Sequence, residues 1–185
     1  MQTFKDTNTG NIYEFEDDVV ATQDTNGVYS FTNARGAPLD KLPTTLEPYT
    51  ITDADKLPGV VAAKKAELVA AWAAAAYADI SFTTAAGDTA TFQADEASQA
   101  YILKTAGSYN RRGSVPSGFT WTAADNSQVP FTLDDLNGLY DAILDRAEPT
   151  LWNNQQAKKA KVDSIEVDTS LTDGKKITQI QAVTF

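Results

Sequence analysis

The 185-residue chain contains no cysteine, no histidine and a single methionine. Without cysteine there are no disulfides, no thiolate nucleophile and no cysteine-based metal site. Without histidine as well, the commonest general base and the commonest transition-metal ligands are missing. No P-loop, dinucleotide-type glycine pattern, G-x-S-x-G elbow or H-E-x-x-H pair occurs. The sequence therefore assigns no catalytic residue, no cofactor and no metal, and the expectation is a non-enzymatic protein.

Positive charge is also in short supply. Fifteen Lys and Arg face 25 Asp and Glu, a net charge of -10. Such a field opposes nucleic acid or an anionic membrane as the main partner. The basic clusters, Arg111–Arg112 and Lys158–Lys159 with Lys161, are too short to offset it. Long apolar runs are absent too: the alanine-rich stretch from Val60 to Ala78 is interrupted by Lys64, Lys65 and Glu67. No membrane insertion is expected. Met1–Asp6 leads into no apolar stretch, so no signal peptide is expected, and the lack of cysteine fits synthesis in a cytoplasm.

What is present is aromatic: three Trp, seven Tyr and eight Phe. That content opposes general disorder, and a chain of this length buries roughly two thirds of its unfolded surface without staples. The fold class read from the pattern is α+β. Residues 1–50 form a β-rich unit, with Ile12–Phe15 alternating like a half-buried strand. Asn26–Gly27 between Val19–Ala21 and Val28–Phe31 predicts a hairpin with a type I′ turn. Pro38, Pro43 and Pro48 mark an extended connector.

Residues 51–160 read as helices and hairpins. Asp53 or Asp55 caps a helix over about 58–78, whose stripe is Val61, Lys65, Leu68, Trp72 and Ala76. A hairpin-then-helix order follows twice. Phe82, Phe92, Asp95 and Tyr101 match Trp121, Phe131, Asp134 and Tyr140 at a spacing of 39. Thr132–Asp135 reads as a capping box, and its helix buries Leu133, Leu136, Tyr140, Ile143 or Leu144, and Ala147. Pro149 ends or kinks that helix near Glu148, and helix resumes after Leu151–Trp152. Residues 161–185 read as a C-terminal β-hairpin turning at Asp173–Gly174 and leaving a terminal strand for a partner's sheet edge.

Three chemical possibilities survive. Paired carboxylates suffice for a glycosidase, and the candidates are Glu14, Glu16, Asp17 and Asp18, or Asp134 with Asp135. Strand-end charge and helix capping explain both groups without catalysis. Asp6–Gly10 has the start of a calcium-loop pattern with its glycine one position early, and Asp168–Gly174 is a poorer version; turn chemistry covers both. Trp121 and Trp152 are stacking surfaces for a sugar or a protein if exposed, and core side chains otherwise.

Residues 57–160 resemble an uncharacterised domain common in phage tail-fibre-associated proteins. The resemblance rests on Val61–Leu68, on Phe92–Asp95 with Ser98–Gln99, on Trp121–Asn126 and on Val129–Leu136. In that family a tryptophan-containing hairpin steps through Val-Pro-hydrophobic-Thr into the last helix. Thr9–Tyr13 and Asn26–Phe31 look like the short β-rich front end of similar tail proteins. The resemblance implies a structural component of the virion tail, made in the host cytoplasm and bound to a tail-fibre or baseplate protein, in several copies or as a homo-oligomer. The alternatives it leaves are a fibre-assembly chaperone and, further off, a carbohydrate-binding or carbohydrate-cleaving tail protein.

Overall fold

The computed structural model describes residues 1–185, and they cluster into two compact units, Met1–Lys56 and Leu57–Phe185. The architecture is mixed α+β, with strands first and helices alternating with hairpins afterwards.

The first unit holds β1 (Gln2–Asp6), β2 (Ile12–Phe15), β3 (Val20–Gln23), β4 (Tyr29–Thr32) and β5 (Leu46–Pro48). A three-stranded antiparallel sheet runs in the order β2-β1-β5, and β3 pairs with β4 alone. Alternation places Phe4, Phe15, Phe31 and Leu46 inside. Phe15 stacks on Phe31 at 4.4 Å between centroids, and Phe4 meets both edge-on.

The turn at Asn26–Gly27 forms, but not as type I′. Gly27 N–H donates to Asp24 O and Asp24 N–H to Val28 O, and only Gly27 takes a positive φ, +85°. This is a type I turn closed by a left-handed residue. Its selector is Asp24, whose Oδ1 accepts from the N–H groups of Asn26 and Val28. Asn33 builds the same turn with Gly36.

The second unit takes most of α1 (Asp53–Ala76), then β6 (Ile80–Thr83), β7 (Thr89–Phe92), α2 (Glu96–Arg112), β8 (Thr120–Thr122), β9 (Gln128–Pro130) and α3 (Leu133–Asp145). A π-helical segment (Arg146–Trp152), α4 (Asn153–Glu166) and α5 (Asp173–Gln181) complete it. The cap of α1 is Thr52, not Asp53 or Asp55: Asp55 N–H donates to Thr52 Oγ1, and Asp55 Oδ2 accepts from Thr52 N–H. Thr132 and Asp135 form the same reciprocal box on α3.

The repeated hairpin–helix order is present, with a register the spacing of 39 describes only in part. Phe82 pairs with Ala90 as Trp121 pairs with Val129. Both turns use the left-handed closing residue, Gly87 in one and Asn126 in the other. After Phe92 and Phe131 the copies slip. The caps are Asp95 and Thr132, so Ile102 matches Leu139 and Ala106 matches Ile143, while Tyr101 no longer matches Tyr140. The second hairpin enters its helix two residues sooner. Both helices deliver these pairs, with Phe92, Phe131 and Leu136, to one core. On α3 it is Ile143 that is buried; Leu144 is exposed.

Gly138 lies where a helix meets a hairpin: a Cβ there would be 3.2 Å from the Phe82 ring, a tight contact that the ring would have to ease by a few tenths of an ångström. Pro149 acts as expected in part. It has no N–H to donate and its ring crowds the carbonyl one turn back. The chain widens to a π-helical turn over Arg146–Trp152 and continues into α4 instead of stopping.

The expected C-terminal β-hairpin does not form: residues 161–181 are helical or helix-linking, 182–185 follow α5 without a strand, and all belong to the second unit. Val162 and Ile165, then Ile177 and Ile180, fall at helical spacing of three and pack with Leu57, Val61, Leu68 and Val183. A strand would place Ile165 and Val167 on one face, whereas Ile165 is 7% exposed and Val167 is 73% exposed. Asp173–Gly174 sits in the first turn of α5, where aspartate suits the helix dipole. On α1 the inward lysine is Lys64, and Lys65 instead reaches Asp163 on α4. Ile165→Asp is therefore expected to cost at least about 3 kcal/mol and Val167→Asp under about 0.5 kcal/mol, read by urea unfolding.

Candidate functional site

In the second unit the two hairpins meet through one backbone hydrogen bond, Ala124 N–H to Thr91 O at 2.8 Å. Beyond it they part, leaving a cleft of about 210 Å³ bordered by Gln93, Ser98, Tyr101, Phe119 and Thr120–Thr122. Trp121 projects from β8, and Tyr101 from α2 stacks on it at 5.3 Å with 24° between ring planes. Phe119 abuts Trp121 and Tyr109. Tyr101 is 62% exposed, so one face of its ring is free. Gln128 crosses from β9 to hold both Thr120 and Thr122 by their hydroxyls, which fixes the strand pair. The surface offers a flat aromatic face and neutral polar groups.

The carboxylates proposed for chemistry are not brought together as a pair. Glu14, Glu16, Asp17 and Asp18 lie exposed around the end of β2. Asp134 is exposed while its neighbour Asp135 is buried. Asp135 Oδ1 accepts from Ala85 N–H at 2.7 Å, and Oδ2 accepts from Thr132 N–H and Oγ1. It ties the first hairpin's turn to the start of α3. Asp6 is likewise a hub: its carboxylate accepts from Thr45 Oγ1, Thr9 Oγ1 and Asn8 N–H. Those bonds consume the oxygens the calcium-loop pattern would need. Asp168 accepts from Ser170 N–H and Oγ, as an ordinary turn aspartate.

Trp152 is 44% exposed and meets Trp72 edge-on at 5.6 Å. The Trp72 indole N–H is buried without an acceptor. Beside them Arg146 donates to Ala76 O and Asp79 O, satisfying carbonyls at the end of α1. Desolvation lowers the Arg146 pKa, and the Asp79 charge opposes that. Trp121 and Trp152 are legible in the sequence as candidates, whereas Tyr101 reads there only as a helix residue. Its signal was available: Tyr101 and Leu103 flank the inward Ile102 and fall off the buried stripe of α2.

Hydrogen bonding has a pH consequence. The Thr45 and Thr9 hydroxyls with the Asn8 N–H hold Asp6 below the ordinary carboxylate value of 3.8. Thr52 and Tyr49 do so for Asp55, with the Lys5 ammonium adding to it. Burial pushes Asp135 up, but Thr132 and Ala85 outweigh it and the net direction is down. Depressed folded values add stability that is full above the unfolded pKa and is lost as pH falls through the folded pKa. The thermal midpoint is expected to be flat from about pH 5 to 8 and to fall steeply below about pH 4, with Asp55→Asn and Asp135→Asn each shrinking that fall.

The fold is that of a hairpin–helix protein, and the cleft beside β8 is lined by aromatic and neutral polar side chains. The family model described as Domain of unknown function (DUF4376) matches residues 60–177, most of the second unit, and the chain belongs to that family. The match runs past residue 160 into α5, so the C-terminal helices are part of the family's pattern. Neither curated proteins nor solved structures give a match to this chain.

Proposed function

We propose that this protein is a structural component of a phage tail, bound to a tail-fibre or baseplate protein and working through protein–protein contact. The phage context rests on the sequence resemblance of residues 57–160. The observation that supports a contact role is the commitment of the buried carboxylates Asp6 and Asp135, and of the half-buried Asp55, to hydrogen bonds that hold the fold. Beside them stands an aromatic pair presented to solvent. Groups locked in this way serve shape, and exposed aromatics serve recognition.

The test is quantitative mass spectrometry of purified virions of the phage that encodes the gene. Recovery in fixed ratio to other tail proteins is the expected result. Absence from virions with co-purification on the fibre in infected-cell lysate would make the protein an assembly chaperone. Absence from both would overturn the tail reading. An unpaired C-terminal strand would suit that chaperone as well, but the segment is helical and packed.

A further inference from the structure

The cleft beside Tyr101 is also the open edge of a sheet. In an antiparallel pair, residues alternate between those bonded to the partner strand and those whose N–H and C=O point away from it. Phe131 N–H donates to Phe119 O, and Ala123 N–H to Ser127 O. With Thr120, Trp121 and Thr122 opposite Pro130, Val129 and Gln128, the bonded pairs are those of Phe119, Trp121 and Ala123. The N–H and C=O groups of Thr120 and Thr122 therefore face outward, on the same edge as Ala124. Ala124 is already covered there, by Thr91 O. Thr120 and Thr122 are not; they border the cleft. The opposite edge, on β9, carries Pro130, which has no N–H to offer and blunts that side.

The geometry points to a docking site for an extended segment of a partner protein, which adds as a strand to the outer edge of β8. This deepens the proposed role in protein–protein contact and rests on it. The occupant follows from the chemistry. A row of backbone donors and acceptors at strand spacing is matched by another extended backbone. Alternate side chains of such a segment fall on one face, where one apolar group lies on the free face of the Tyr101 ring. The Gln93 amide, exposed and without a partner in the chain, closes the end of the cleft nearest Thr91. The chain's net charge of -10 favours a neutral or basic segment over an acidic one. Where Ala124 donates its N–H to the first hairpin, the incoming strand takes the next two places.

The test uses the full chain, immobilised and panned against random heptapeptides. The consensus peptide is then synthesised and titrated into 15N-labelled protein. The expected outcome is an alternating, extended consensus that shifts the amide signals of Thr120 and Thr122. Its affinity is expected to fall at least about tenfold, or 1.4 kcal/mol, in Tyr101→Ala and in Thr122→Pro, with an acidic variant of the peptide binding more weakly. Thr122→Pro removes an outward N–H that no ladder bond uses, together with the hydroxyl that accepts from Gln128; Tyr101→Ala changes an exposed side chain and leaves the strand pair intact, so a loss shared by both variants is not a loss of the hairpin. Recovery of no peptide overturns the site, as does a peptide indifferent to both variants. So does a response of Trp121 to glucose or N-acetylglucosamine where no peptide produces one. Presence of the chain in virions without peptide binding would remove this site and leave the tail reading standing; absence from virions with peptide binding would do the reverse.

Discussion

Asp135→Ala is expected to lower the stability of the second unit by about 2–4 kcal/mol. The carboxylate is 5% exposed and does two jobs. It returns a hydrogen bond to the Thr132 cap, and loss of a helix cap costs about 1 kcal/mol. It also accepts from Ala85 N–H, fifty residues away in the chain. Leaving that donor unpaired costs roughly another 1–3 kcal/mol. Asp135→Asn keeps one acceptor oxygen and should lose less. Asp134→Ala, one residue earlier and exposed, should change stability by under about 1 kcal/mol, because it forgoes only a favourable charge near the helix N-terminus. Urea unfolding followed by tryptophan fluorescence separates the three. Equal losses at 134 and 135 would mean that the buried link between hairpin and helix is not made.

Phe92→Ala should be the more damaging change, at about 3–5 kcal/mol. Phe92 is fully buried and meets Phe131 edge-on at 5.2 Å and Phe82 at 6.5 Å. It ends one hairpin, and Phe131 follows the other, so the cavity would open between the two copies of the repeat. Ile102, Leu136, Leu139 and Ile143 all reach into that space. Helices fixed at both ends cannot close it by small shifts, which is why the cost exceeds simple transfer of the side chain. Calorimetry should show the lowered midpoint in the transition of Leu57–Phe185; an unchanged midpoint would place the core elsewhere.

Much of this architecture is legible in the sequence, and the failures share a cause. The hairpins at 80–92 and 120–130 follow from alternation around turn residues, and Thr132–Asp135 declares its helix by a local pattern. The misreadings come where two periods fit the same few apolar residues. Ile165–Glu166–Val167 alternates like a strand, and only the partners Leu57, Val61 and Leu68, far away in the chain, decide for a helix. Asn26–Gly27 suggests a two-residue turn, but the Asp24 side chain selects a longer one. The two-residue slip between the repeats is invisible at a fixed spacing, because the hairpins obey it while the helices do not. Of the cleft, Trp121 was legible. The facing Tyr101 was not, since which side of α2 faces solvent depends on where the second hairpin packs. The open edge of β8 is a property of strand register, and no residue type announces it.

We propose that this chain works by contact, with its carboxylates serving the fold. The most direct test is to carry Glu14→Gln, Asp134→Asn and Tyr101→Ala separately into the phage in which the proposed tail role places the gene, and to measure infectious titre beside the copy number of the chain per virion. The claim predicts unchanged titre and copy number for Glu14→Gln and Asp134→Asn, and reduced copy number with reduced titre for Tyr101→Ala. A collapse of titre in Glu14→Gln or Asp134→Asn at full copy number would contradict it, because an exposed carboxylate would then carry a task of its own that the aromatic contact does not supply.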